Sequence, residues 1–151
     1  MNTNTKKNIP SVWTVRQIAI GSFLSGPIGG CFLLSQNYKA FGQKKTAKKA
    51  FWIGAILTSL LIIATAFVPE TLLDKLPRSF IAVASALVVH SLAKTSQQTD
   101  IEKYLQEGNP RKSYLKLFGI TLILMLLTVI WAFGLGIGAG LVAEKVVTYP
   151  L

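Results

Sequence analysis

No Asp, Glu, Lys or Arg lies inside the four long apolar runs of this 151-residue chain, which leaves His90 as the one side chain there that titrates near neutral pH. That limits the chemistry open to the molecule. A zinc site takes three or four ligands, and His90 has no carboxylate or second histidine beside it. A proton relay inside a bilayer needs a partner acid, and none is at hand. Ser85 and Ser91 flank His90, and Lys94 follows one helical turn later, which puts His90 near a membrane interface. The six acids, Glu70, Asp74, Asp100, Glu102, Glu107 and Glu144, fall in loops or at segment ends. There is no Ser/His/acid set, no H-E-x-x-H and no paired carboxylates. The expectation is a protein that is not an enzyme and carries no metal and no cofactor.

Two further patterns invite chemistry and fail on context. Gly134, Gly136, Gly138 and Gly140 repeat at spacing two, and Gly134-x-Gly136-x-x-Ala139 fits a loose dinucleotide pattern. No strand precedes them, and an apolar helix surrounds them, so a bend or a helix contact is expected instead. Ile28-Gly29-Gly30-Cys31 resembles a lipoprotein cleavage box. The apolar run continues through Phe32, Leu33 and Leu34, where a mature lipoprotein turns polar, so an uncut segment is expected. A single cysteine forms no internal disulfide and leaves the redox compartment open.

The elements that carry these residues are the four runs themselves: 18–35, 50–68, 79–93 and 117–143. With 51% hydrophobic residues and a mean hydropathy of +0.48, the chain is too apolar for a soluble domain of this size. The predicted fold class is all-α, an integral membrane helical bundle forming one domain. Residues 1–12 read as loose, and Trp13 with Arg16 as an interfacial anchor. The 69–78 hairpin, bounded by two prolines, has room for a short interfacial helix. Within 94–116, Thr99-Asp100-Ile101-Glu102 reads as a capping box that opens an amphipathic surface helix over 99–108. Asn109-Pro110 then starts the last helix, with proline in its first turn.

The first run is the unusual one. Ser25-Gly26-Pro27 sits in its middle, and proline removes a donor and crowds the preceding turn, so the helix breaks or kinks there. Small residues recur at four-residue spacing: Gly21, Ser25, Gly29 and Ser22, Gly26, Gly30. That spacing admits a close helix contact, with simple packing favoured over a broken helix lining a site.

Charge then bears on orientation. The formal net charge is +10, from 16 Lys+Arg against 6 Asp+Glu. No nucleic-acid fold or aromatic-basic platform accompanies it, so nucleic acid is not an expected partner. Lys44, Lys45, Lys48 and Lys49 make 36–49 the most basic loop, a candidate contact for lipid headgroups. If all four runs cross, ten basic residues face one side and six the other; if the first run turns back at Gly26-Pro27, the split is thirteen to three. Both arrangements put 36–49 and 94–116 in the cytoplasm by the positive-inside rule. The second arrangement satisfies that rule better, but it needs neighbouring helices to cover the turn.

The stretch Gln17-Ile18-Ala19-Ile20-Gly21-Ser22-Phe23-Leu24-Ser25-Gly26-Pro27-Ile28-Gly29-Gly30, then Leu33-Leu34-x-x-Asn37-Tyr38-x-x-Phe41-Gly42, resembles a group of uncharacterised bacterial multi-pass membrane proteins. Their pattern is Thr-Phe-Leu-Gly-x-Pro-Leu-Ala-Gly followed by Leu-Leu-x-x-Asn-Tyr-x-x-Leu-Gly. Ser22 stands here for Thr, Ser25-Gly26 for Gly-x and Phe41 for Leu, over roughly residues 17–55. The resemblance implies a bacterial inner-membrane setting and, because some of the group carry a soluble N-terminal domain, a cytoplasmic N-terminus. It implies no catalytic residue.

Three functions fit this pattern. A non-enzymatic accessory, scaffold or immunity-type protein would act through helix contacts with another membrane protein or a second copy. An oligomeric channel or small transporter would use the broken first run. A surface lipid binder would use the lysine loop. The first is the expectation.

Overall fold

A computed structural model describes residues 9–67, 75, 77 and 79–148. The expected short helix over 69–78 lies outside the described residues, apart from positions 75 and 77. Four helices make up the chain: α1 (Val15–Ala40), α2 (Lys44–Phe67), α3 (Phe80–Gln106) and α4 (Tyr114–Thr148). The protein is all-α in its described part, with one isolated backbone bridge between Val12 and Arg111. Three of the helices are long and apolar enough to cross a membrane, over Val15–Ala40, Lys44–Thr65 and Tyr114–Leu135.

α1 meets that criterion as a string of residues, yet its ends meet. Ser25 (φ −125°, ψ 16°) and Gly26 (φ 71°, ψ −167°) leave helical geometry. Across them the chain reverses. The Trp13 N–H donates to Asn37 Oδ1 at 2.8 Å, and Asn37 Nδ2 donates to the Trp13 carbonyl at 2.8 Å. A straight helix would hold residues 24 apart at about 36 Å. Farther in, Gly21 faces Leu33, and Gly30 faces Ser22. The first arm (residues 15–24) and the second (27–40) therefore lie antiparallel, and the glycines and serines on their facing surfaces let the two backbones come close.

This hairpin is the centre of the molecule. Among the described residues every substantial helix–helix interface involves α1. α3 offers it a stripe at four-residue spacing, Ser85, Val89, Ala93, Gln97 and Ile101, all buried. α2 meets the second arm through Ala47, Gly54 and Thr58, and α4 meets the first through Leu117 and Thr121. The outward faces are apolar and open: Ile56, Leu60, Leu87, Ile123, Ile130 and Phe133 are each more than half exposed.

Several expectations need correction. α2 begins at Lys44, so the basic stretch is mostly the first two turns of a helix, and the connection is only Phe41-Gly42-Gln43. Lysine is a good helix former and continues the helix beyond the apolar run. The amphipathic helix expected to start at Thr99 is the last part of α3. No Gly or Pro interrupts 94–98, and the Thr95 and Ser96 hydroxyls donate back to carbonyls of their own helix (2.9 and 2.5 Å). Pro110 is not in a first helical turn; its carbonyl accepts from the Val12 N–H at 3.2 Å, and α4 starts at Tyr114. Val12 and Trp13, expected to be loose and interfacial, are fully buried.

Candidate functional site

At the hairpin tip three hydroxyls bond to backbone groups, one of them freed by the reversal. The Ile28 N–H, freed at the start of the second arm, donates to Thr58 Oγ1 at 3.0 Å. Ser25 Oγ donates to the Gly21 carbonyl at 2.8 Å, and Ser22 Oγ to the Ser85 carbonyl at 3.2 Å. Pro27 is buried early in the second arm, where its missing N–H and fixed φ cost little. Gly26 has nothing within 4 Å of a Cβ built on it, so its role is its positive φ. Gly21, Gly29 and Gly30 act differently: a Cβ on Gly30 would meet Val89 Cγ1 at 2.5 Å and Ser22 Cβ at 2.7 Å. Cys31 is buried against Gly54 of α2.

The opposite end of the hairpin is closed by a buried polar clamp. Asn37 Nδ2 also donates to Gln97 Oε1 (3.2 Å), and Gln97 Nε2 donates to the Leu34 carbonyl (3.1 Å). Gln17 caps the first arm with Thr14, whose side chain accepts from the Gln17 N–H at 3.2 Å, and its Nε2 donates to the Lys112 carbonyl at 2.8 Å. The Lys112 N–H in turn donates to the Val12 carbonyl at 2.8 Å. No buried side-chain polar atom among the described residues lacks a partner. The clamp ties the start of α1, its end, α3 and the 107–113 connection into one unit.

Lys112 sits on the rim of this clamp. Its Nζ lies 4.7 Å from the Trp13 ring centroid and donates to Gln36 Oε1, which also accepts from Trp13 Nε1 at 2.9 Å. Burial, then the charge on Lys116, pushes the ammonium from 10.5 down to about 8. For a base whose folded pKa is lowered, the unfolded chain binds the proton more tightly. Charging therefore costs stability in full below pH 8, and stability rises with pH from about 8 to 10.5. In a chain with Trp52→Phe and Trp131→Phe, we expect Trp13 emission to titrate with a midpoint near pH 8, and Lys112→Met to abolish the step. A flat profile between pH 7 and 9 would show that Lys112 keeps its ordinary proton affinity.

The other sequence candidates are scattered. Lys44, Lys45, Lys48 and Lys49 are exposed on the first turns of α2, where no acidic residue offsets the positive end of the helix. Gly134 has nothing within 4 Å of a built Cβ, and Gly136, Gly138 and Gly140 lie within helix α4. His90 is half-buried and lines a groove of about 420 Å³ between the first arm and α3, together with Thr14, Arg16, Lys94, Gln98 and Glu102. A depression of about 480 Å³ continues along α3 beside Ser91, Thr95 and Thr99. The described residues hold no group of three His, Cys, Asp or Glu side chains placed to share a metal ion.

Sequence reasoning missed the clamp. Thr14-x-x-Gln17 is a readable capping box, but Asn37 and Gln97 stand 60 positions apart and carry no local signal. The fold and these two polar layers define a class: a helical protein with three helices long and apolar enough to cross a membrane, built around a central helical hairpin. No protein-family model, no curated protein and no solved structure matches the chain. The resemblance of residues 17–55 therefore stands on the quoted residues alone.

Proposed function

We propose that this chain is a small protein of a bacterial inner membrane in which α1 enters and leaves by the cytoplasmic face, α2 and α4 cross, and α3 crosses through its shorter apolar run, 79–93. Its role is non-enzymatic: an accessory, scaffold or immunity-type protein that binds another membrane protein through the outer faces of its helices. The observation that carries the membrane reading is the meeting of Trp13 with Asn37 at the polar end of helices that expose long apolar stretches beyond it. Water does not tolerate so large an apolar surface on a monomer. Arm lengths agree, since 15–24 and 27–40 give about 15 and 21 Å of helix, half to two-thirds of a hydrocarbon core of roughly 30 Å. Thr58, the tip's partner, lies midway along the apolar run of α2.

Charge supports the orientation. With both ends of α1 on one face, that face takes thirteen of the sixteen basic residues, including the 36–49 and 94–116 segments. The positive-inside rule makes it cytoplasmic. The lysines opening α2 then lie at the headgroups. The channel reading draws no support from the tip, because the Ser22, Ser25 and Thr58 hydroxyls are engaged with backbone groups.

Labelling tests the topology. Ile9→Cys, Gln43→Cys and Lys75→Cys, each with Cys31→Ser, are exposed to an impermeant maleimide on intact cells. We expect labelling at position 75 only, with 9 and 43 reacting after lysis. Positions 9 and 43 reacting from opposite faces would mean that α1 crosses. Co-purification of a stoichiometric membrane partner in mild detergent tests the contact role, and robust flux by the purified chain in liposomes would replace it with the channel reading.

A further inference from the structure

The groove between the first arm and α3 has basic residues on its walls, and exposed apolar residues continue along the same two helices below it. Arg16 and Lys94 are exposed on its two walls, and His90 lies one helical turn deeper than Lys94 on the same face of α3. Thr14 and Gln98 add neutral polar groups at the mouth. Glu102, toward the outer end, is held by Gln98, whose Nε2 donates to Glu102 Oε1 at 2.7 Å. Arg16 and Lys94 against Glu102 leave the mouth a net charge of +1 with His90 neutral (two positive, one negative). Beyond the groove, deeper along the same helix faces, exposed apolar side chains follow: Phe23 is 44% exposed, Val83 43% and Leu87 63%. Phe23 stands seven residues from Arg16, and Val83 and Leu87 stand seven and three from His90, so each shares its helix face with the basic group above it.

We propose that this groove is a binding site for one anionic phospholipid. Its phosphodiester would sit between Arg16 and Lys94, with His90 beneath, and its acyl chains along Phe23, Val83 and Leu87. The charge matches a headgroup of net −1, as in phosphatidylglycerol, and not a zwitterion. Arginine holds a phosphate by two parallel N–H bonds, and lysine adds a point charge. The groove lies at the depth where the headgroup region gives way to hydrocarbon, so head and tails are recognised together. The site is separate from the exposed lysines that open α2.

This inference rests on the membrane reading, and the test separates the two. The full chain is purified in detergent, titrated with phosphatidylglycerol or phosphatidylcholine, and its retained lipid counted by native mass spectrometry. We expect one retained phosphatidylglycerol per chain, with phosphatidylcholine at least tenfold weaker. Arg16→Gln/Lys94→Gln should lower phosphatidylglycerol retention about thirtyfold, with Arg16→Lys/Lys94→Arg restoring most of it. Lys44→Gln/Lys45→Gln/Lys48→Gln/Lys49→Gln should leave it unchanged. Size-exclusion profiles show that each variant is folded. Unchanged retention in Arg16→Gln/Lys94→Gln, equal binding of phosphatidylcholine, or displacement by millimolar inorganic phosphate would overturn the site. Extraction of the chain from membranes by alkaline carbonate would instead overturn the membrane reading.

Discussion

Asn37→Leu should remove most of the folded protein. Asn37 is fully buried and serves three groups at once: the Trp13 N–H, the Trp13 carbonyl and Gln97 Oε1. Leucine keeps the branched outline, carries no polar atom and strands all three. A buried polar group left without a partner costs about 1–3 kcal/mol, so three cost about 3–9 kcal/mol, comparable to the whole stability of many small domains. The Trp13 pair also joins the two arms of α1, so the loss opens the hairpin at its base. The measurement is the midpoint of unfolding when mild detergent is replaced by sodium dodecyl sulfate, followed by far-UV circular dichroism. Asn37→Leu/Gln97→Leu should cost less than the two single changes added together, because each single change strands a group of the other residue and the double change strands neither; that sign of coupling marks a shared network. Ser96→Ala, on the exposed face of α3, should stay within about 0.5 kcal/mol. An Asn37→Leu midpoint equal to that of Ser96→Ala would mean that the clamp does not hold the arms.

The class of fold was legible because four uncharged runs in 151 residues admit few other readings. Helix boundaries were not, for a physical reason. Hydropathy reports where a helix meets an apolar medium, whereas hydrogen bonding and capping decide where it ends. α2 therefore starts six residues before its apolar run, at Lys44, and α3 passes through Lys94–Gln98 without a stop. Gly42 and Gly108 are real stops: each has φ 79°, and each N–H donates to a carbonyl three residues back. Trp13 misled because an aromatic beside an arginine at a segment end matches the interfacial pattern. Only the long-range partners Gln36, Asn37 and Lys112 reveal that its ring is enclosed.

The candidate site divides the same way. The small residues of the first run were visible, but their spacing of four suggested a contact with another helix. Much of that surface is instead used between the two arms of the same hairpin, with Ser22 against Gly30 and Gly21 against Leu33. Arg16 and His90 are 74 positions apart, and no periodicity brings them to one groove. What a single run of sequence cannot encode here is pairing across the reversal, and both polar layers depend on it.

The reversal itself should depend on Gly26 far more than on Pro27. With φ 71° and ψ −167°, Gly26 lies in a region that only glycine occupies readily. A Cβ there meets nothing within 4 Å, so a substitution tests the backbone alone. We expect Gly26→Asn to cost about 1–3 kcal/mol. Gly42→Asn should cost less than about 1 kcal/mol, since a left-handed helix cap accepts asparagine. Pro27→Ala should cost little, because the proline sits where a helix starts and alanine there adopts the same helical φ without disturbing an intrahelical bond. If proline instead forced the break, Pro27→Ala would straighten α1. Spin labels at Arg16→Cys and Lys39→Cys, with Cys31→Ser, decide between these causes. A continuous helix would hold them about 35 Å apart, whereas packed antiparallel arms hold them under about 20 Å. We expect the short distance in the parent and in Pro27→Ala, and a broadened distribution with a long component in Gly26→Asn. A long distance in the Pro27→Ala chain would move the origin of the turn from the glycine dihedral to the proline ring.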